Sequence, residues 1–454
     1  MSTDGSTTWS SKVAFYLAAI GAAVGLGSIW RFPYVAGANG GGGFMFAFLL
    51  AMAFIAVPLL IAEFLIGRRG GCNALDSAAS VAVASGRSRL WGAIGWLGTA
   101  AITLIASYYY VIAGWVVAYT WKCASGQLAG ASPEVVTRQF RSFLHTPLEV
   151  GAWHLLFVSL VVWISARGVN RGIEMANRIR APGLLILLLI LVTYSLATGD
   201  VAAGLAFSFS FVPASLTPGV LLAAVGQAFY ATGVGMALML AYGAYIPRQV
   251  SLVRSGLVVS GAIVVVSILA TLLIFPLVFR YGMNPAQGPQ LVFEVLPAIF
   301  AEMPAGRPIG TLFFVLFILA ALTPSVAAME PLVAWLQERR GLSRGRAAVI
   351  AGAALWLLGL GSVASFGGWH WRPLGWLPAF AEMDFFQASD FVGANIMLPV
   401  GALLTSIFIG WRIAGALWDA ELGAERPAVR KVCRALMRYV CPFAIAAILV
   451  TAFA

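Results

Sequence analysis

The chain has 454 residues, 61% hydrophobic and 10% charged, with a mean hydropathy of +0.92. A soluble globular protein carries about 25% charged residues, so this balance excludes a water-soluble fold. The formal charge of +11 would suggest a nucleic-acid partner in a soluble protein; its distribution along the chain gives it another meaning.

Residues 1–11 are polar, and Lys12 is the only base before the first apolar run. That run is too long for the apolar core of a signal peptide, so it reads as a first span. A helix crosses a bilayer with ~20 mostly apolar residues. Such stretches fall at about 12–36, 42–67, 91–121, 151–166, 181–198, 218–245, 255–280, 309–336, 347–366, 377–411 and 435–454. The prediction is an all-α polytopic membrane protein of about eleven spans; short alternating segments that would indicate a β-barrel are missing. The longest connections are 122–150 and 281–308, and the second holds an apolar stretch, Leu291 to Phe293 and LPAIF (296–300), read as a short helix over the mouth.

Most of the Lys and Arg fall on one side of this arrangement: Arg68, Arg69, Arg87, Arg89, then Arg167, Arg171, Arg178, Arg180, then Arg339, Arg340, Arg344, Arg346, then 412–438. Basic loops stay cytoplasmic. The expectation is a protein of the cell (inner) membrane with its N-terminus inside, bound to lipid and not to nucleic acid. Cys72, Cys123, Cys433 and Cys441 have no metal-ligand spacing, and no catalytic acid–base or nucleophile set is visible, so no enzyme is expected.

Spans 1 and 6 differ from the rest. The first reads GAAVGLGSIWRFP (21–33) and the sixth GQAFYATGVGMA (226–237), each with glycines crowded at its midpoint, where a regular helix loses stability. They stand five spans apart, and paired interrupted segments at matching positions mark an inverted-repeat transporter. The expected organisation is a segment 1–11, a first five-helix repeat over 12–198, a second over 199–411, and a connector plus span 11 over 412–454. Unwound backbone inside a membrane needs partners that lipid cannot supply. A carboxylate suits the exposed N–H groups and a cation the exposed carbonyls.

The motifs GAAVGLGSIWRFPYVAGANGGGGF (21–44), PLLIAEFLIGR (58–68), SYYYVIAGW (107–115), PGVLLAAVGQAFY (218–230), LPAIF (296–300), LTPSVAAMEP (322–331) and EMDFF (382–386) resemble the neurotransmitter:sodium symporter family, specifically its bacterial amino-acid transporters of the leucine-transporter fold. The usual member has twelve spans, whereas this chain stops after the eleventh. The resemblance implies alternating access with an amino acid and Na⁺ at the midplane. It places the substrate carboxylate at Gly25, Leu26, Gly27 and the Tyr109 hydroxyl, and the amine at carbonyls of Ala23, Tyr230 and Ala231. The side-chain pocket then contains Ala22, Ile105, Tyr230, Gly233, Met236, Pro324 and Ala328, with Phe229 as an aromatic lid. Gly233 and Ala328 leave room for a bulky apolar or aromatic side chain. Arg31 and Asp384 match the extracellular gate; Trp9, Tyr245 and Glu338 match the cytoplasmic gate, whose N-terminal arginine is replaced by Ser6. Glu63 matches a structural glutamate, and Glu330 is a second carboxylate inside a span.

The chain departs from the family at its ions. The first sodium site loses its side-chain oxygens at Ser28, Ala231 and Ile263. The second keeps carbonyls at Gly21, Val24 and Ala320 and the hydroxyl of Thr323, but has Pro324 where the family has a serine. Of the chloride positions, Gln227 and Ser267 match while Phe48, Ala231 and Ile263 do not, so no chloride is expected. These substitutions leave three readings: symport with at most one sodium site, proton-coupled or ion-independent exchange in which Arg180 or a carboxylate replaces the ion, and an amino-acid sensor that does not transport.

Overall fold

A computed structural model describes residues 11–168, 175–286, 291–369 and 371–451; the side chains of Lys12, Ala14 and 175–179 are outside the description. Trp9 and Ser6 therefore lie outside the described residues. Every described element is helical.

Nine helices are long and apolar enough to cross a membrane among the described residues. In chain order the elements are α1 (Lys12–Ala23), α2 (Gly27–Ala38), α3 (Gly42–Gly70), α4 (Ala74–Ala84), α5 (Arg89–Ala124), α6 (Pro133–Leu144), α7 (Pro147–Ala166), α8 (Met175–Thr198), α9 (Val201–Phe209), α10 (Pro218–Thr232), α11 (Leu238–Gly243), α12 (Leu252–Arg280), α13 (Leu296–Glu302), α14 (Gly306–Arg340), α15 (Arg344–Phe366), α16 (Phe385–Arg412), α17 (Gly415–Leu422) and α18 (Pro427–Thr451). The pair α1–α2 bends by 47° at the first glycine cluster. The pair α10–α11 is broken at the second. Among the described residues, the nine helices and the bent pair α1–α2 give up to ten candidate spans against the eleven the sequence predicts, and α10–α11 stands where the sixth was expected.

Two boundaries move. The span expected at 377–411 begins at Phe385, because Asp384 caps that helix with a reciprocal bond to Gln387. The last span starts at Pro427, so its first turns come from the expected connector.

Helices α5, α7, α14 and α15 pack on one another, and α3 packs on both arms of the second broken span. The basic helix ends gather on one face, held by ion pairs and bonds to carbonyls. Arg68 pairs with Glu421 at 2.6 Å and donates to the Val250 carbonyl at 2.7 Å, with both charged side chains nearly buried. Arg339 pairs with Asp76 at 2.7 Å. On the opposite face, α6 and the turn before α13 cover the bundle. Phe293 of that turn, within the predicted short helix, stacks on Phe140 and meets Trp115 and Tyr119 edge-on.

Candidate functional site

The first break is built from missing Cβ atoms. A Cβ on Gly25 would stand 2.4 Å from Pro324 Cγ, and one on Gly27 would stand 3.1 Å from Tyr230 Cδ1. The α1 ladder ends with Val24 N–H on Ile20 O and resumes with Ser28 and Ile29 N–H, both on Gly25 O. Between them Leu26 N–H turns to the Tyr109 hydroxyl at 3.4 Å. The carbonyls of Gly21 and Ala23 are left without that ladder's donors.

Three consecutive tyrosines on α5 divide their work because helical neighbours point about 100° apart. Tyr109 meets the first break. Tyr108 donates to Asp390 at 2.7 Å, and Tyr110 donates to the Ser325 carbonyl at 2.6 Å.

The second break is closed by protein. Gly233 and Gly235 take positive φ of 67° and 85°, a region suited to glycine. Gly235 N–H donates to Glu63 Oε1 at 2.6 Å, and a Cβ there would stand 2.3 Å from the Leu398 carbonyl oxygen. Glu63 thus serves as a backbone cap inside the membrane, where a carboxylate is expensive unless it finds donors.

The two breaks face one another across a cavity of about 60 Å³. Its lining contains the predicted Ala22, Ala23, Gly25, Gly27, Ile105, Tyr109, Tyr230, Ala231, Gly233, Met236, Pro324 and Ala328, and adds Ile102, Ala106, Tyr110 and Leu238. Ile102 and Ala106 are one turn from Ile105 and Tyr109, so helical spacing from the predicted pair would have found them. Leu26 reaches the site through its N–H.

Phe229, the expected lid, is packed inside the bundle. It is 1% exposed and lines neither the cavity nor the space above it. The neighbouring Tyr230 lines both, so the 100° step between them decides which ring separates the two. That upper vestibule, about 380 Å³, is lined by Arg31, Tyr34, Tyr108, Asp390 and aromatic rings. Arg31 donates to Gln227 Oε1 at 2.7 Å and lies 4.5 Å from the Tyr230 ring centre. Gln227 in turn donates to the Gly27 carbonyl at 2.8 Å. Asp384 is absent from this vestibule. It sits at a helix start, and the acid that shares the space with Arg31 is Asp390, six residues on.

On the basic face, the two described residues expected at the gate have separate partners. Tyr245 donates to Glu330 Oε1 at 3.3 Å, and Arg344 holds the same carboxylate through both oxygens, at 3.1 and 2.6 Å. Glu338 instead accepts from Asn73 N–H and Nδ2, at 3.1 and 2.6 Å. Glu330, with a side chain 2% exposed, is thus the most deeply buried of the carboxylates ion-paired on this face among the described residues.

For a hard cation such as Na⁺, oxygen ligands are required. At the first expected site Ala231 and Ile263 offer no side-chain oxygen; the buried Ser28 hydroxyl has no hydrogen-bond partner. At the second, α1 packs on α14, which carries Ala320 and Thr323. The Ala320 carbonyl oxygen stands 3.3 Å from the position a Gly25 Cβ would take. That set of neutral oxygens fits a monovalent cation.

Helices that span a membrane, two of them interrupted face to face around a cavity, define a secondary transporter and not an enzyme. The sodium:neurotransmitter symporter profile matches residues 6–141 and 140–383. A sodium-dependent transporter of Bacillus subtilis, YhdH, is 37% identical over 450 residues, spanning 98% of this chain and 97% of its own. One from Haemophilus influenzae is 31% identical over 411 residues, 89% of each chain. Among solved structures, MhsT in complex with L-phenylalanine superposes with a TM-score of 0.89 at 38% identity, over 99% of this chain and 100% of that one. The chain belongs to the sodium:neurotransmitter symporter family.

Proposed function

We propose that this protein is a sodium-coupled symporter of apolar, bulky or aromatic amino acids, working by alternating access across the cell membrane. The observation that carries the substrate class is the cavity itself. Leu26 N–H and the Tyr109 hydroxyl stand at one end of a space otherwise walled by Ile102, Ile105, Gly233, Met236 and Ala328. The polar end suits an α-carboxylate. Ala23, Tyr230 and Ala231, whose carbonyls are proposed to receive the amine, also line it. The remaining wall is apolar and built partly of small residues, which favours a large hydrocarbon side chain over a small or charged one. The relative MhsT was solved with L-phenylalanine, which agrees with this class.

In this reading the basic face is cytoplasmic. Tyr230 with Arg31, and Asp390 with Tyr108, form the extracellular gate. Tyr245, Glu330 and Arg344 latch the cytoplasmic one. The ion enters at Gly21, Val24, Ala320 and Thr323, and chloride plays no part. The five-and-five repeat, 12–198 and 199–411, supplies the rocking halves.

Uptake into proteoliposomes tests this. An inward Na⁺ gradient should drive accumulation of L-phenylalanine or L-leucine, and glycine should compete poorly. Preference for glycine or alanine would remove the substrate class. Equal exchange with Na⁺ replaced by choline would remove the coupling. Saturable binding with no flux would make the protein a sensor.

A further inference from the structure

The end of α16 and the start of α18 meet on the basic face. Trp411 Nε1 donates to the Arg438 carbonyl at 3.2 Å, and Arg438 Nε donates to the Gly410 carbonyl at 2.8 Å. The two ends carry six cations: Arg412, Arg426, Arg430, Lys431, Arg434 and Arg438. Arg430, Arg434 and Arg438 recur every four residues, so they share one face of α18, and like charges at that spacing destabilise a helix. Among the described residues only Arg430 has a carboxylate partner, Asp419 at 2.9 Å. The neighbouring acids are engaged elsewhere: Glu421 pairs with Arg68 at 2.6 Å, and Glu425 accepts from the Ser251 hydroxyl.

Arg434 is held over Trp418 of α17, its guanidinium carbon 5.7 Å from the ring centre. The Nε of Arg430 and that of Arg434 are both shielded from solvent and have no acceptor among the described residues. Shielded donors are normally paired in a native fold, so these two call for an acceptor that the chain does not supply. Their level in the membrane shows what kind. Trp411 and Tyr439 are exposed and meet edge-on, with ring centres 5.8 Å apart. Such rings on the outside of a spanning bundle mark the depth of the lipid headgroups. Beyond them α18 presents Val440, Phe443 and Val450 to the exterior, as acyl chains require. The cations therefore stand at headgroup level, beside lipid.

We propose that the junction of α16 and α18 binds the phosphate of an anionic phospholipid, with Arg434 and Lys431 as its main contacts and Arg412 and Arg438 beside them. Basic residues just inside a spanning helix attract anionic headgroups, and a guanidinium matches a phosphate with paired N–H donors. The lipid relieves the repulsion along α18 that the protein's own acids leave in place. This site is separate from the amino-acid cavity and independent of which solute or ion is carried.

The test follows the melting temperature of the purified full chain in a neutral detergent. It is titrated with phosphatidylglycerol, with phosphatidylcholine of the same acyl chains, and with inorganic phosphate. Phosphatidylglycerol should stabilise the wild type at a lower mole fraction than phosphatidylcholine, and inorganic phosphate should do little. Lys431→Gln combined with Arg434→Gln should need about tenfold more phosphatidylglycerol or beyond, the scale of two lost headgroup attractions. Arg340→Gln combined with Arg346→Gln removes the same charge from exposed positions elsewhere on the basic face and should respond like wild type. Arg434 also packs on Trp418, so if the first double variant does not fold, Lys431→Gln alone carries the test; its side chain is exposed, and a severalfold shift is expected. Equal shifts in the two double variants, or no shift in Lys431→Gln alone, would reduce the effect to net charge or packing and overturn the site. An equal response of the wild type to both lipids overturns it as well. Full stabilisation by inorganic phosphate would make this a site for a free anion and overturn the lipid assignment.

Discussion

The two broken helices look alike in sequence and differ in what closes them. At the second break the protein supplies the partners: Glu63 receives Gly235 N–H, and Gly233 N–H returns to Phe229 O at 2.9 Å. At the first break the partners are few and weak, with Leu26 N–H on a tyrosine hydroxyl at 3.4 Å and carbonyls left over. Backbone groups in a membrane interior are satisfied by something. At the second break the protein itself pairs the freed backbone groups, and at the first it pairs fewer of them, although both are glycine clusters five spans apart.

The largest test of that contrast is Gly235→Ala against Gly27→Ala. At Gly235 the new Cβ would meet the Leu398 carbonyl at 2.3 Å with φ at 85°, and strained backbone alone costs about 1–3 kcal/mol. A steep fall in melting temperature, or no folded protein, is expected. At Gly27 the obstacle is the Tyr230 ring at 3.1 Å, which can turn. The melting temperature should change little and substrate affinity should fall. Equal loss of stability in both would remove the distinction.

A smaller pair sharpens it. Glu63→Ala leaves a buried N–H unpaired, which costs roughly 1–3 kcal/mol, and should appear mainly as lost thermal stability. Tyr109→Phe removes one hydroxyl from the first break. It should weaken amino-acid binding by about tenfold, the equivalent of ~1.4 kcal/mol, with stability nearly unchanged. Unchanged affinity there would remove the proposed carboxylate pose.

The smallest effect belongs to the basic face. Hydrogen bonds from Arg339, and then from Asn73, hold the Asp76 carboxyl below its usual range. A depressed folded value means this contribution is complete at neutral pH and is lost as the pH falls through that lowered value. Arg339 is exposed and Asp76 only part-buried, so Asp76→Asn should cost about 1 kcal/mol or less. It should also flatten the acid side of a melting-temperature profile. A larger loss would show that this pair, and not Glu330 with Arg344, latches the face.

Most of the residues that line the cavity are those the family resemblance implied from the motifs. The differences in placement share one cause. Phe229 and Tyr230 are adjacent, and only the rotation of α10 about its axis selects Tyr230 as the separating ring. Asp384 and Asp390 both lie near the start of α16, and the true helix start makes the first a cap and leaves the second facing Arg31. Tyr245 reaches Glu330 rather than Glu338 because Asn73, far away in sequence, occupies Glu338.

By itself the sequence determined that this is a membrane-spanning helical bundle, which face is basic and where two helices fail. Those properties are local: hydropathy over about twenty residues, the charge of loops, the backbone freedom of glycine. Tertiary structure decided what each break is for. Glu63 can fill one only because α3 packs against α11, and Tyr109 can meet the other only because α5 lies beside it. A glycine cluster says that a helix opens; the neighbours across the gap settle which of the freed backbone groups find partners within the protein.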